Sequence, residues 1–260
     1  MTATLTVLSL FSGIGGLDLG LERAGMTVVG QVEIDPWCRR VLAKHWPEVP
    51  RHDDVRTAVE WWRSEPRPPV HVVAGGPPCQ PFSQIGRKRG VADERWMWPA
   101  MADAVRELRP RYVIVENVAA LLADRTAFGW ILADLAELGF DAEWSVLPAC
   151  AMGAPHPRRR LFVVAFPVRV DGQAGLAAGQ ERGQSAFGRG APEGAVVRRA
   201  AGAWRDRVDW AVAASRADDR DTHGDAPRMV AAGGNAVVPA VAEYVGYLIM
   251  RRESERGNHA

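Results

Sequence analysis

The fold is decided by the segment LTVLSLFSGIGG, residues 5–16. Its first seven residues form an apolar run typical of a buried β-strand, and a glycine-rich turn follows. Apolar residues then recur at helical spacing up to Gly25, which predicts a helix from Ile14 to Ala24. A glycine-rich turn between a strand and a helix lets the backbone approach a ligand closely and directs amide groups toward it.

Outward from this segment, strands and helices continue to alternate. Further strands are predicted at residues 27–32, 71–74, 112–115, 143–147 and 161–166. Helices are predicted at residues 36–45, 96–108 and 127–138, and from Pro239 to near Arg251 and Arg252. This alternation predicts an α/β fold in which helices cover both faces of a mostly parallel sheet. Ligands bind such sheets outside the carboxyl ends of the strands.

Composition and charge exclude several classes of protein. The chain has 260 residues, of which 47% are hydrophobic and 24% charged, as in ordinary globular proteins. No apolar run has the roughly 18–20 residues of a membrane span, and no signal-peptide pattern opens the chain, so a cytoplasmic protein is predicted. The net charge is +1, but residues 151–210 hold 10 basic and 5 acidic side chains, which favours a nucleic-acid surface there.

Cysteine usage points to one exposed thiol and to no metal. Cys38, Cys79 and Cys150 are far apart, so they form neither a zinc-binding spacing nor a disulfide framework. Cys79 lies in GGPPCQPFS, residues 75–83, where two glycines and three prolines disfavour both helix and strand. Such a stiff loop presents the thiol, and Cys79 is therefore interpreted as a nucleophile.

Polar side chains follow several other predicted strands. Glu33 comes 20 positions after the glycine turn, which suits the two hydroxyls of a ribose, and Asp54 offers an acceptor for an adenine amino group. Glu116 can hydrogen-bond a ring nitrogen of a substrate. Strand alternation predicts that Arg158 and Arg160 share one face, where they suit a carbonyl oxygen or a phosphate. Taken alone, each of these side chains also fits a solvated strand end, a helix cap or a basic turn.

The composition changes after Pro167. Residues 171–203 contain eight glycines and nine alanines, too few large apolar side chains for a core. The predicted organisation is a catalytic and cofactor-binding domain at 1–167, a small and partly irregular region at 168–233, and a C-terminal helix at 234–260 that returns to the first domain.

These motifs resemble, in order, those of the DNA cytosine-5 methyltransferases. The matching stretches are Phe11–Gly16, Glu33, Asp54, Pro77-Pro78-Cys79-Gln80, Glu116-Asn117-Val118, the Arg158 and Arg160 pair, and Gly234–Pro239. The resemblance implies a Rossmann-like methyltransferase fold, the cofactor S-adenosylmethionine and a double-stranded DNA substrate whose target cytosine is flipped out. It departs from the family at His156, where glutamine is usual, and at 168–233, which is a reduced target-recognition region without a recognisable supporting segment.

The resemblance also implies roles for individual residues. The Cys79 thiolate adds to C6 of cytosine. Glu116 forms hydrogen bonds with N3 and the amino group, and Arg158 holds the O2 oxygen. The implied catalytic set is Cys79, Glu116, Asn117, Arg158 and Arg160. The implied cofactor-binding set is Phe11, Ser12, Gly13, Gly15, Gly16, Glu33, Ile34, Asp54, Val55, Pro77, Asn235 and Ala236.

Two alternatives stay open at this stage. A branch with the same catalytic motifs methylates cytosine in tRNA. The short region 168–233 also fits a homologue that no longer catalyses, or one that needs a separate recognition partner. A companion nuclease, as in restriction-modification systems, is a further possible partner.

Overall fold

The computed structural model describes residues 4–78, 96–168 and 236–257. Cys79, Asn235 and residues 169–233 of the predicted recognition region 168–233 lie outside the described residues. The strands are β1 (Thr6–Leu10), β2 (Thr27–Val32), β3 (Arg51–His52), β4 (Val72–Gly75), β5 (Tyr112–Val118), β6 (Phe140–Pro148) and β7 (Arg159–Pro167). The α-helices are α1 (Gly16–Arg23), α2 (Pro36–His45), α3 (Ala58–Arg63), α4 (Trp98–Leu108), α5 (Arg125–Glu137) and α6 (Pro239–Gly257).

The strands form one seven-stranded sheet in the order β3-β2-β1-β4-β5-β7-β6. The first five strands in that order are parallel, whereas β7 runs antiparallel to both of its neighbours. The predicted α/β fold with a mostly parallel sheet is therefore confirmed. Because β7 is reversed, its first residues lie beside the last residues of β5, with Arg160 opposite Val118.

Two apolar cores cover the two faces of the sheet, as predicted. One core joins the sheet to α1 and α6 through side chains such as Leu21 and Val245. The other joins it to α3, α4 and α5 through side chains such as Trp62, Met101 and Ile131. Alternate residues of β1 enter opposite cores, as Val7 and Leu8 do.

Small residues bring α1 and α6 together. A Cβ on Gly20 would lie 2.4 Å from the Pro239 carbonyl oxygen and 2.4 Å from Cβ of Ala242. One on Gly246 would lie 2.6 Å from Cβ of Ala24. The two helix backbones therefore approach more closely than larger side chains would permit.

The C-terminal helix is longer than predicted. The sequence placed its end near Arg251 and Arg252, where cations suit a helix C-terminus. The helix continues to Gly257, because Glu253 forms an ion pair with Arg111 and accepts a hydrogen bond from the Tyr112 hydroxyl at 2.9 Å. These contacts join the last helical turns to the sheet. None of the helices in the described ranges is long and apolar enough to cross a membrane.

Candidate functional site

The glycine turn after β1 has a conformation that side chains rarely adopt. Gly13 and Gly15 have φ values of 55° and 83°, and Phe11 also has a positive φ of 55°. A Cβ on Gly15 would lie 2.4 Å from the ring of Trp46, and one on Gly16 would lie 2.2 Å from the Val237 carbonyl oxygen. Trp46 and Val237 therefore pack closely against the turn at Gly15 and Gly16. A Cβ on Gly13, in contrast, would meet nothing within 4 Å. Open space thus lies against its backbone at Gly13.

Ser12 points into the protein. Its hydroxyl is within hydrogen-bonding distance of the Ser9 hydroxyl, at 2.9 Å, and of the Ser9 carbonyl oxygen, at 3.1 Å. The Ser9 hydroxyl in turn donates to Asp18, which accepts a second hydrogen bond from Gln31 Nε2 at 2.7 Å. Of the predicted cofactor residues, Ser12 therefore has its side chain in a buried polar network that supports the turn.

Asp18 lies at the centre of this network and is fully buried. Burial raises its pKa to about 6, although the hydrogen bonds from Ser9 and Gln31 act in the opposite direction. The sequence alone does not distinguish Asp18, since an acidic residue in the first turn of a helix needs no special explanation. What distinguishes Asp18 is a tertiary contact, the hydrogen bond that it accepts from Gln31 of β2.

The exit of β2 is joined to the glycine turn by Glu33. One carboxylate oxygen accepts a hydrogen bond from the Gly13 amide at 2.7 Å, and the other accepts from the Asp35 amide at 2.8 Å. The next side chain, Ile34, is 72% exposed although it is large and apolar. An exposed apolar side chain beside a buried carboxylate is a suitable platform for the flat ring and the ribose of a nucleoside.

Asp54 and Val55 follow β3 at the same edge. Asp54 accepts a hydrogen bond from the Arg56 amide and pairs with the Arg56 guanidinium at 2.7 Å, and these contacts lower its pKa. Val55 is buried in the core, so its side chain lies away from solvent. The predicted contact of Asp54 with adenine stays a prediction.

The end of β5 carries a buried carboxylate between two cations. Glu116 is 7% exposed, and its Oε1 lies 3.1 Å from Nε of Arg160. Burial raises the pKa of Glu116 to about 7, while the charges of Arg160 and Arg158 act to lower it. Burial also lowers the pKa of Arg158, and the nearby Arg160 charge acts in the same direction. Arg159, between them, is exposed.

The chain that leads to Cys79 is held against this carboxylate. The Asn117 side-chain amide donates a hydrogen bond to the Pro77 carbonyl oxygen at 3.0 Å. A Cβ on Gly76 would lie 2.9 Å from Oε2 of Glu116, so glycine allows the close approach. The described part of the proline-cysteine loop therefore passes beside Glu116 at Gly76 and ends at Pro78, one residue before Cys79.

The other two cysteines differ in their surroundings. Burial raises the pKa of Cys38 to about 12, and the carboxylates of Glu33 and Asp35 add to this effect. A thiol in that state is a poor nucleophile. Cys150 is exposed in a short 3-10 turn after β6.

Most of the predicted catalytic and cofactor-binding residues that the structure describes lie at one edge of the sheet, where the parallel strands have their carboxyl ends. Ala236, just before α6, belongs to the segment that packs on the glycine turn through Val237. A sequence model of the C-5 cytosine-specific DNA methylases matches residues 5–178. The chain belongs to this family.

Relatives of this methylase-family chain include bacterial Type II methyltransferases. It is 33% identical over 168 residues to M2.BsuMI of Bacillus subtilis, covering 62% of this chain and 42% of that protein. It is 39% identical over 166 residues to M.Eco47II of Escherichia coli, covering 62% and 39% respectively. The chain thus spans less than half the length of these two curated relatives.

A solved structure also resembles this family member. It is described as a DNA modification methyltransferase encoded within an E. coli prophage. The two chains are 28% identical with a TM-score of 0.54, over 63% of this chain and 47% of the other. The similarity confirms the predicted Rossmann-like methyltransferase fold. In the described parts of the methylase chain, no group of three or more His, Cys, Asp or Glu side chains could hold a metal ion.

Proposed function

We propose that the protein transfers a methyl group from S-adenosylmethionine to C5 of a cytosine in duplex DNA, with Cys79 as the nucleophile. The observation that carries the proposal is the Glu116 carboxyl, whose pKa is raised to about 7 and which lies against the loop that leads to Cys79. A carboxyl group with this pKa holds a proton at neutral pH in a substantial fraction of molecules, and it can hydrogen-bond N3 of a cytosine ring.

The residues beside the glycine turn fit the proposed cofactor. The open space at Gly13, the exposed face of Ile34 and the Glu33 carboxylate suit an adenosine group. In this proposal Ile34 and Phe11 pack on adenine, Glu33 bonds the ribose, and Asn235 and Ala236 lie near the methionine end. The bound cofactor supplies an electrophilic methyl group on a sulfonium.

The protein residues make cytosine C5 reactive. The Cys79 thiolate forms a bond to C6, while Glu116 donates a hydrogen bond at N3 and Arg158 holds the O2 oxygen. Electron density at C5 would then suffice for it to take the methyl group, with the S–CH3 bond breaking and S-adenosylhomocysteine, a neutral thioether, as the leaving group. Loss of the C5 proton to a base breaks the Cys79–C6 bond, and the thiolate is regenerated. Asn117 holds the Pro77 carbonyl oxygen and so positions the loop.

A cytosine in duplex DNA is accessible to this chemistry only when it leaves the base stack of the double helix. Neither C5 nor C6 can meet a cofactor and a thiol inside the helix, so we propose that the target cytosine is flipped out. Two arginines beside one carboxylate leave a net positive site, which suits the polar edge of an extruded base. The short, glycine- and alanine-rich region 168–233 is the reason to test whether target recognition requires a partner protein.

The test is methyl transfer from labelled S-adenosylmethionine to unmethylated genomic DNA by the purified chain, followed by bisulfite sequencing. Cys79→Ser should abolish transfer and retain cofactor binding. Cys150→Ser is the matched control, because Cys150 is exposed and is not among the residues assigned to the site, and it should leave transfer unchanged.

Three results would count against the proposal. Transfer by Cys79→Ser at the unmutated rate would overturn the nucleophile. Methylation of tRNA in preference to duplex DNA would overturn the substrate. Cofactor binding without methylation of either nucleic acid would indicate that a recognition partner is required or that the chain does not catalyse.

A further inference from the structure

Arg39 holds the backbone at the exit of β2. Its Nη1 donates hydrogen bonds to two successive carbonyl oxygens, that of Glu33 at 2.7 Å and that of Ile34 at 2.8 Å. Hydrogen bonds from a guanidinium are stronger than those between neutral groups. One side-chain nitrogen therefore fixes the orientation of two consecutive peptide groups.

The position of Arg39 in its helix is unfavourable by itself. It lies one turn after Asp35, the residue that caps α2 by accepting hydrogen bonds from the Trp37 and Cys38 amides. The N-terminal end of a helix carries partial positive charge and disfavours cations. The two carbonyl contacts offset this cost, because they give the guanidinium partners of the opposite polarity.

The two residues that Arg39 holds carry the side chains that we assign to the adenosine group. The Glu33 carboxylate reaches the glycine turn through the Gly13 amide, and Ile34 is 72% exposed. Moving either peptide group would therefore move the carboxylate, the apolar face and the contact with the glycine turn together.

We propose that Arg39 is a positioning residue for the adenosine half of S-adenosylmethionine. This inference rests on the proposed function, since it takes this edge as the cofactor site. Arg39 acts through Glu33 and Ile34 and does not contact the reacting atoms. Its loss should weaken cofactor binding and leave the chemical step unchanged.

The test compares Arg39→Met with Arg40→Met in the full chain. Methionine keeps an unbranched stem but donates no hydrogen bond, and Arg40 is the exposed neighbouring cation on the same helix. The dissociation constant of S-adenosylhomocysteine is measured by calorimetry, and KM for S-adenosylmethionine and kcat are measured in the methylation assay. Arg39→Met should raise the dissociation constant and KM about tenfold, with kcat within twofold of the unmutated chain. Arg40→Met should change neither constant, and Arg39→Lys should restore part of the affinity.

A different distribution of effects would overturn the inference. If Arg39→Met bound the cofactor as tightly as the unmutated chain, or if Arg40→Met weakened binding equally, Arg39 would have no specific positioning role. A fall in kcat at constant KM would point to a loss of folded protein, which a thermal melt would also detect. If the unmutated chain bound no S-adenosylhomocysteine, the proposed function would fail first, and calorimetry on that chain alone distinguishes this case.

Discussion

Oε1 of Glu116 lies 3.1 Å from Nε of Arg160, across the antiparallel junction of β5 and β7. Reversal of β7 creates this contact, because it brings the start of one strand beside the end of another. The ion pair does not keep Glu116 fully ionised at neutral pH, since burial outweighs the two nearby cations and raises the pKa of Glu116 to about 7. The same carboxyl group is therefore paired and able to hold a proton.

Glu116→Gln should lower kcat for methyl transfer by about 10²–10⁴-fold, the range expected for loss of a positioned acid. Glutamine keeps the shape and a hydrogen-bond donor but cannot supply a proton. For the unmutated chain, kcat/KM should decline as the pH rises above about 7, because the protonated form of Glu116 is then depleted. The residual activity of Glu116→Gln should lack this decline.

The control for this prediction is Arg160→Met. Because the Arg160 charge lowers the pKa of Glu116, its removal should move the declining part of the profile to higher pH. A profile that declines at the same pH in the unmutated chain and in Arg160→Met would refute the assignment to Glu116.

Asn117→Ala should slow methyl transfer about tenfold and leave the affinity for S-adenosylhomocysteine within twofold. The variant loses the hydrogen bond to the Pro77 carbonyl oxygen and the one that Asn117 Oδ1 accepts from the Val118 amide, and each such bond contributes on the order of 1 kcal/mol. Single-turnover kinetics with saturating DNA measures the effect. Asn117→Asp should be at least as slow, since a carboxylate cannot donate to that oxygen; normal rates in both variants would contradict the positioning role.

Asp18→Asn should change how stability depends on pH. The pKa of Asp18 is about 6 in the folded chain, compared with 3.8 for an aspartate exposed to solvent, as in the unfolded chain. Folding therefore favours the protonated form. Its contribution to the free energy of unfolding is fully present below pH 4 and is lost as the pH rises through about 6. The loss is on the order of 3 kcal/mol for a shift of this size.

Urea unfolding between pH 4 and pH 8 measures this difference. The asparagine variant should lose less stability than the unmutated chain over that interval, because it has no proton to release. Gln31 can rotate its amide to match the new side chain, since its Oε1 is buried without a hydrogen-bond partner among the described residues. Parallel pH dependences in the two proteins would show that Asp18 does not titrate in this range.

Local patterns predicted those parts of the fold that depend on local chemistry. The apolar run of β1 was sufficient to predict that strand, and the proline at residue 36 was sufficient to predict the start of α2. The helix has the predicted bounds Pro36–His45. The true end of α6 could not be predicted, because it depends on an ion pair between Glu253 and Arg111, which are far apart in sequence. The inward direction of Ser12 also depends on distant partners.

Gly20→Ala should destabilise the chain by about 1–3 kcal/mol, whereas Gly129→Ala should stabilise it by about 0.5–1 kcal/mol. The added methyl group on α1 would lie 2.4 Å from both the Pro239 carbonyl oxygen and Cβ of Ala242, so α6 must move away. The added methyl group on α5 would meet nothing within 4 Å. Alanine is there the better helix former.

Because the segment before α6 packs on Gly16 through Val237, displacement of α6 should also disturb the glycine turn. Gly20→Ala should therefore weaken binding of S-adenosylhomocysteine under conditions where the variant is still folded, and Gly129→Ala should not. Chemical unfolding and calorimetry on the same preparations measure both effects. If Gly20→Ala lost stability and yet bound the cofactor normally, α6 would support the fold without shaping the cofactor site.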